Sequence, residues 1–232
     1  MYIRLFIIAI TPALIGTFCI SQVYRDDKES SKLLFATFAL GALAVIPSIP
    51  IEEILIRLNV FDGILGAFFN AFIVAALTEE YFKRMVLLKL PMKTKYFNEK
   101  LDGIVYGVFA ALGFATVENI MYVVFRYTNN PFIGLNRGIF SVPAHGVFGI
   151  TMGYYLSLYK FNTDEKDKRS NLRKSLFMPI LLHGIFDFIL MVNIPQVTLI
   201  FVPYVVFLWW LNHRKLESFI LDSENRIIDD KE

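Results

Sequence analysis

Cysteine is nearly absent from this chain. Cys19 stands alone in an apolar run, which excludes a disulfide framework and a thiolate metal site within one chain. Histidine is almost as scarce, with three residues in 232. No strong charge of either sign is present: 23 Lys and Arg stand against 21 Asp and Glu, and a net +2 is too small to argue for a nucleic-acid partner. No serine sits in a G-x-S-x-G pattern and no H-E-x-x-H occurs, so two common hydrolase signatures are missing. There is no polar stretch long enough for a soluble domain, and no long repeat.

What is abundant is apolar sequence. The chain is 56% hydrophobic, where a soluble domain has about 45–50%. The excess arrives in long runs, the mark of membrane spans. Seven segments can be drawn, at about 2–24, 33–51, 63–88, 103–125, 138–159, 175–193 and 196–212. Each approaches the roughly 20 residues that cross a bilayer. Asn193-Ile194-Pro195 makes a tight turn between the last two, and the seventh is the shortest. Met1-Tyr2-Ile3-Arg4 lacks the basic region and small-x-small site of a signal peptide, so the first segment reads as a retained span. The 23 Phe, 11 Tyr and 2 Trp suit lipid-facing surface and interfacial belts.

The expected fold is therefore all-α, a polytopic transmembrane helix bundle of about seven spans in the lipid bilayer. Residues 1–212 form one transmembrane domain, and 213–232 a charged, solvated tail. Arg25, Lys28 and Lys32, then Lys89, Lys93, Lys95 and Lys100, then Lys160 to Lys174, fall in alternate loops with Arg214 and Lys215. By the positive-inside rule this puts the N-terminus outside and the C-terminus in the cytoplasm.

Several ionisable residues lie at span depth, where a charge costs about 2.5–3.5 kcal/mol on insertion scales. The third segment carries Glu79, Glu80, Lys83 and Arg84, the fourth Glu118-Asn119, the fifth His145, and the sixth His183 and Asp187. Stability alone would not place them there. Glu79 has Lys83 four residues on and Glu80 has Arg84, the favourable order for a helical ion pair. Being adjacent, the two acids project about 100° apart and cannot both face one point squarely. Ala71, Ala75 and Glu79 share an i, i+4 ridge, so Glu79 is the first choice to face a neighbouring helix. Gly103, Gly107, Ala111 and Ala115 make a similar small ridge near Glu118, and Gly149 and Gly153 continue one from His145. His183 and Asp187 stack one turn apart, and His213 falls at the membrane interface.

This constellation suits hydrolysis without a covalent intermediate. A carboxylate can take a proton from water while an imidazole orients that water or stabilises an oxyanion. Equally, Glu79, Glu118, His145 and His183 can hold a divalent metal such as zinc that activates the water. Both mechanisms stand open on the residues alone.

Glu79-Glu80-Tyr81-Phe82-Lys83-Arg84 resembles the E-E-x-x-K-R motif of the PrsW family of intramembrane proteases, and Phe114 to Asn119 its F-x-x-x-E-N motif. His145 in Pro143-Ala144-His145-Gly146, and His183-x-x-x-Asp187, match its two histidine motifs. The resemblance runs from the first span to the sixth, in order. It implies relation to CAAX prenyl proteases and other glutamate-type membrane proteases, with catalytic residues Glu79, Glu80, Glu118, His145, His183 and Asp187. It also implies a bacterial plasma-membrane enzyme making the site-1 cut in a single-pass membrane anti-sigma factor, which leads to release of an extracytoplasmic-function sigma factor. One departure is the loop Tyr24 to Ser30, which lacks the proline that relatives often carry. The alternatives are a CAAX-type prenyl protease, a bacteriocin-immunity protein of the same superfamily, or a non-catalytic membrane scaffold or transporter. A transporter would show paired repeats or broken helices, and neither is legible.

Overall fold

Residues 2–23 and 31–229 are described by the computed structural model; the loop from Tyr24 to Ser30 lies outside them. Every regular element among the described residues is helical. Helix α1 spans Tyr2–Val23, α2 Ser31–Leu43 and α3 Val45–Leu58. Helix α4 (Gly63–Phe68) runs through a π-helical stretch, Phe69–Ala76, into α5 (Leu77–Lys89). Helix α6 (Lys100–Ile120) ends in a second π-helical stretch, Met121–Arg126. Helix α7 (Pro131–Asn136) leads through a third, Arg137–Ser141, into α8 (Val142–Phe161). Helices α9 (Glu165–Met191), α10 (Pro195–Thr198) and α11 (Phe201–Asp229) complete the chain.

Local chemistry explains the boundaries. Proline has no N–H to return to the carbonyl four residues back. Pro47 would have bonded Leu43, and the break between α2 and α3 falls at Ala44. Asp102 starts α6 by accepting from the backbone N–H groups of Asn98 and Glu99, each at 2.7 Å, completing a capping box. Asp164 caps α9 through the N–H groups of Lys166 and Asp167 at 2.8 and 2.9 Å. Asn193 adopts φ 51°, a left-handed conformation that asparagine tolerates, and Pro195 then opens α10.

Among the described residues, six helical segments are long and apolar enough to cross a membrane: Tyr2–Gln22, Ser31–Leu58, Gly63–Lys93, Lys100–Arg126, Glu165–Met191 and Pro195–Ser223. The segment expected at 138–159 is not among the six. It forms α8, which lies in the middle of the bundle against α6, α9 and α11. A helix sheathed by protein meets little lipid and needs less apolar surface. The final span also differs from expectation. Pro195–Ser223 is 29 residues long rather than the shortest span, because α11 continues past Asn212. Phe219 is buried against Tyr154, so this part of the expected solvated tail packs on the bundle.

Lipid does not drive helices together by the hydrophobic effect, so close packing carries the association. Helix α6 is the axis, buried over most of its length. The two small ridges read from the sequence mesh with each other. A Cβ added at Gly107 would strike the Gly149 carbonyl, and one at Gly149 the Gly107 carbonyl. Gly103 and Gly153 meet in the same way one turn further on. Outward-facing Ile3, Phe18, Phe35, Ile46, Trp209 and Trp210 present the apolar surface that lipid would cover.

Gly149→Leu should destabilise the detergent-solubilised protein by more than the roughly 1–3 kcal/mol of ordinary overpacking, because the obstacle is backbone. At Gly146 an added Cβ meets only a Leu112 methyl, at 3.6 Å. Gly146→Ala should therefore leave the melting temperature within about 2 °C of wild type. Thermal unfolding of both variants checks the pair.

Candidate active site

The acids of α5 and α6 and the imidazoles of α8 and α9 converge. Glu79, Glu80, His145 and His183 each offer a ligand atom within 4.8 Å of the others, and all four are buried. Lys83 sits at their centre. Its Nζ donates to Glu79 Oε2 at 3.0 Å and Glu80 Oε1 at 2.8 Å, and lies 2.9 Å from His145 Nδ1. The Phe114 ring covers it, 4.3 Å away. Lys83 is 1% exposed.

The remaining groups extend this centre in both directions. His145 Nε2 lies 2.9 Å from Glu118 Oε2. Glu118 Oε1 pairs with Arg137 Nη2 at 2.9 Å, and Arg137 Nε donates to Asn119 Oδ1 at 3.1 Å. Asn119 Nδ2 in turn donates to the Ala9 carbonyl of α1 at 2.9 Å. On the other side His183 Nδ1 lies 2.9 Å from Glu80 Oε1, and His183 Nε2 lies 3.3 Å from Asp187 Oδ2. Phe148 stacks on the His183 ring at 4.9 Å.

The donor rules settle a tautomer. An ammonium only donates, so His145 Nδ1 accepts from Lys83 and the ring hydrogen sits on Nε2, directed at Glu118. Both nitrogens of His183 face carboxylate oxygens, so a hydrogen on each would satisfy both contacts.

A cavity of about 520 Å³ opens beside the centre. Glu79, Glu118, His145, His183 and Asp187 line it, with Glu52 of α3 and Arg126 at the end of the second π-helical stretch. Water and a peptide segment therefore have space against the buried groups.

Three expectations need correction. Glu80 does not pair with Arg84; Lys83 reaches both acids, while Arg84 turns to Ser175 Oγ and the Leu172 carbonyl on α9, each at 2.9 Å. The two adjacent acids do reach one point, because their flexible side chains bend toward a shared ammonium. The Ala71–Ala75–Glu79 ridge is re-registered by the π-helical turn, which adds a residue per turn. Ala71 and Ala76 are fully buried and Ala75 only partly, so Glu80 as well as Glu79 faces inward. The four groups with donor atoms within 4.8 Å of one another are Glu79, Glu80, His145 and His183, and Glu118 lies outside that group. Glu118 is committed to Arg137 and His145. His213 is exposed and apart from the site.

Sequence reasoning gives Lys83 no part in the chemistry and does not single out Arg137 or Glu52. Lys83 was legible as half of an ion pair only. Arg137 falls between the fourth and fifth apolar segments, and Glu52 gives no signal before α3 is placed beside α5.

The buried donor set fits a metal in kind. Two carboxylates and two imidazoles are what zinc accepts, and Glu80 Oε2 is buried with no hydrogen-bond partner among the described residues.

An all-helical bundle of membrane-spanning segments with a carboxylate–imidazole centre beneath its surface defines an enzyme of the intramembrane class. The chain belongs to the PrsW family: residues 29–211 match the family model described as PrsW family intramembrane metalloprotease. It is 42% identical over 225 residues to Protease PrsW of Clostridioides difficile (strain 630), covering 97% of this chain and 94% of that one. It is 38% identical to Protease PrsW of Oceanobacillus iheyensis, covering 90% and 93%, and 36% identical to that of Bacillus subtilis (strain 168), covering 89% and 90%. No solved structure matches. The chain is thus a multi-pass membrane peptidase of the PrsW family.

Removing one partner of a buried ion pair costs about 3–5 kcal/mol. Arg137 and Glu118 are each 17% exposed and line the cavity, so Arg137→Met should lower stability by less than that, and Arg137→Met with Glu118→Gln should recover part of the loss. Melting temperatures of the two single variants and the double variant test the coupling.

Proposed function

We propose that this protein makes the first cut in a single-pass membrane anti-sigma factor, the step that leads to release of an extracytoplasmic-function sigma factor. Family membership and the motifs that carry it support this substrate. The proposed orientation keeps the N-terminus outside and the C-terminus in the cytoplasm, as the distribution of Lys and Arg favours. The hydrolytic part of the reading is carried by one observation: Glu79, Glu80, His145 and His183 have donor atoms within 4.8 Å of one another. Three of them open on a cavity large enough for water and a peptide segment.

In this reading Glu79 accepts a proton from the attacking water and returns it to the leaving amine. Its carboxylate lines the cavity and is held in place by Lys83. His183 keeps Glu80 on Nδ1 and shares its Nε2 hydrogen between Asp187 and the oxygen that gains charge in the tetrahedral state. His145 is fixed by Glu118 and keeps the Lys83 ammonium aligned with the acid pair. A divalent metal held by Glu79, Glu80, His145 and His183 would polarise the scissile carbonyl and lower the cost of deprotonating water. Phe114 and Phe148 close the apolar side and limit bulk water.

Co-expression with candidate anti-sigma factors, read by fragment size, tests the proposal. Glu79→Ala and His145→Ala should remain in the membrane and lose cleavage by about 10²–10⁴-fold, the scale of a missing acid–base group. Wild-type cleavage in both variants would remove their roles. An intact anti-sigma factor beside active enzyme on another membrane substrate would remove the substrate.

A further inference from the structure

Of the four residues that can hold a metal, three already place an atom within 3.0 Å of Lys83 Nζ: Glu79 Oε2 at 3.0 Å, Glu80 Oε1 at 2.8 Å and His145 Nδ1 at 2.9 Å. An ammonium has three hydrogens, and it has three acceptors here. The contact with His145 matters most. A histidine binds metal through a ring lone pair. The one lone pair of His145 points at Lys83, because the other nitrogen carries its hydrogen toward Glu118. His183 offers no alternative while both of its nitrogens face carboxylates. Glu80 Oε2 and the second oxygen of Glu79 are the acceptors left over among these groups, and two oxygens are short of the four ligands that zinc usually takes. Like charge adds to the problem, since a divalent ion would have to settle beside a buried ammonium.

We infer that Lys83 is the resident cation of the active site, and that a divalent metal enters the Glu79–Glu80–His145–His183 set only by displacing its ammonium. Displacement would free a carboxylate oxygen on each acid and the His145 lone pair together, so occupancy by one cation excludes the other. Lys83 is then a positioning residue: it holds the carboxylate pair together and fixes the His145 tautomer. The inference rests on the reading of these four residues as the donor set, and it does not depend on which substrate is cut.

Zinc binding to the purified full-length protein in detergent tests it, by titration against a chromophoric chelator, with bound metal counted by mass spectrometry. Lys83→Met keeps an unbranched side chain, one atom shorter, and removes the charge. It should bind one zinc ion at least about tenfold more tightly than wild type, the lower end of the scale for changing a metal site's surroundings. Zinc should raise its melting temperature and leave that of the wild type unchanged. Equal or weaker binding by a folded Lys83→Met protein would overturn the inference. Where Lys83→Met does not fold, the wild type decides alone: tight stoichiometric zinc overturns it, and zinc that binds only weakly, with no thermal shift, upholds it. Cleavage assays run separately, so a failed exclusion and a failed protease reading give different results.

Discussion

Charge in a lipid-surrounded bundle has to be matched by charge or by hydrogen bonds at close range, and here one continuous chain of contacts does the matching. It runs from Asn119 through Arg137, Glu118 and His145 to Lys83, then through Glu79 and Glu80 to His183 and Asp187. Every link in it is between 2.8 and 3.3 Å. The chain ties α5, α6, α8, α9 and the π-helical stretch before α8 into one unit. Lys83 is the link where the two halves join. Without a cation there, two buried carboxylates would face each other and an imidazole with nothing between them, and such unpaired burial costs more than any one hydrogen bond returns.

The backbone makes this chain possible. Glu118 and His145 meet because the glycines of α6 and α8 let those helices approach to backbone contact, about one to two turns from His145 and three to four from Glu118. Each of the site-bearing helices α5, α6 and α8 also has a π-helical stretch close to its functional residues: Phe69–Ala76 before Glu79, Met121–Arg126 after Glu118, and Arg137–Ser141 before His145. A wide turn rotates everything beyond it relative to a regular helix. These three rotations set which side chains face the common centre, and one of them carries Arg137 itself.

Most of the fold was legible because its physics is one-dimensional. Long apolar runs mark helices in lipid, and charges inside those runs mark the site. The small ridges of α6 and α8 were legible for the same reason, since regular helix spacing predicts which residues align. Legibility ended where regularity ended. Ala75 was placed on the inner ridge because a uniform turn was assumed, and the wide turn moved that place to Ala76. The partner of Glu80 was misassigned because spacing ranks Arg84 as highly as Lys83, and only the approach of α9 decides it: Ser175 and the Leu172 carbonyl draw Arg84 outward. Segment 138–159 is less apolar than the six, in keeping with a helix that α6, α9 and α11 sheathe.

The shared links also change how the site's energetics should be understood. Lys83 contacts two acids and an imidazole at once, so its contribution cannot be divided among three pairs; loss of any neighbour alters what the others require. The same reasoning connects the family's description as metalloproteases with the ammonium seen here. Both a divalent ion and a lysine meet one electrostatic demand, that of two adjacent carboxylates carried below the membrane surface. A metal meets it with charge to spare for polarising a carbonyl and needs the imidazole lone pairs. The lysine meets it with three directed hydrogens and consumes one of those lone pairs. Which cation holds the acids therefore also determines what the histidines are free to do.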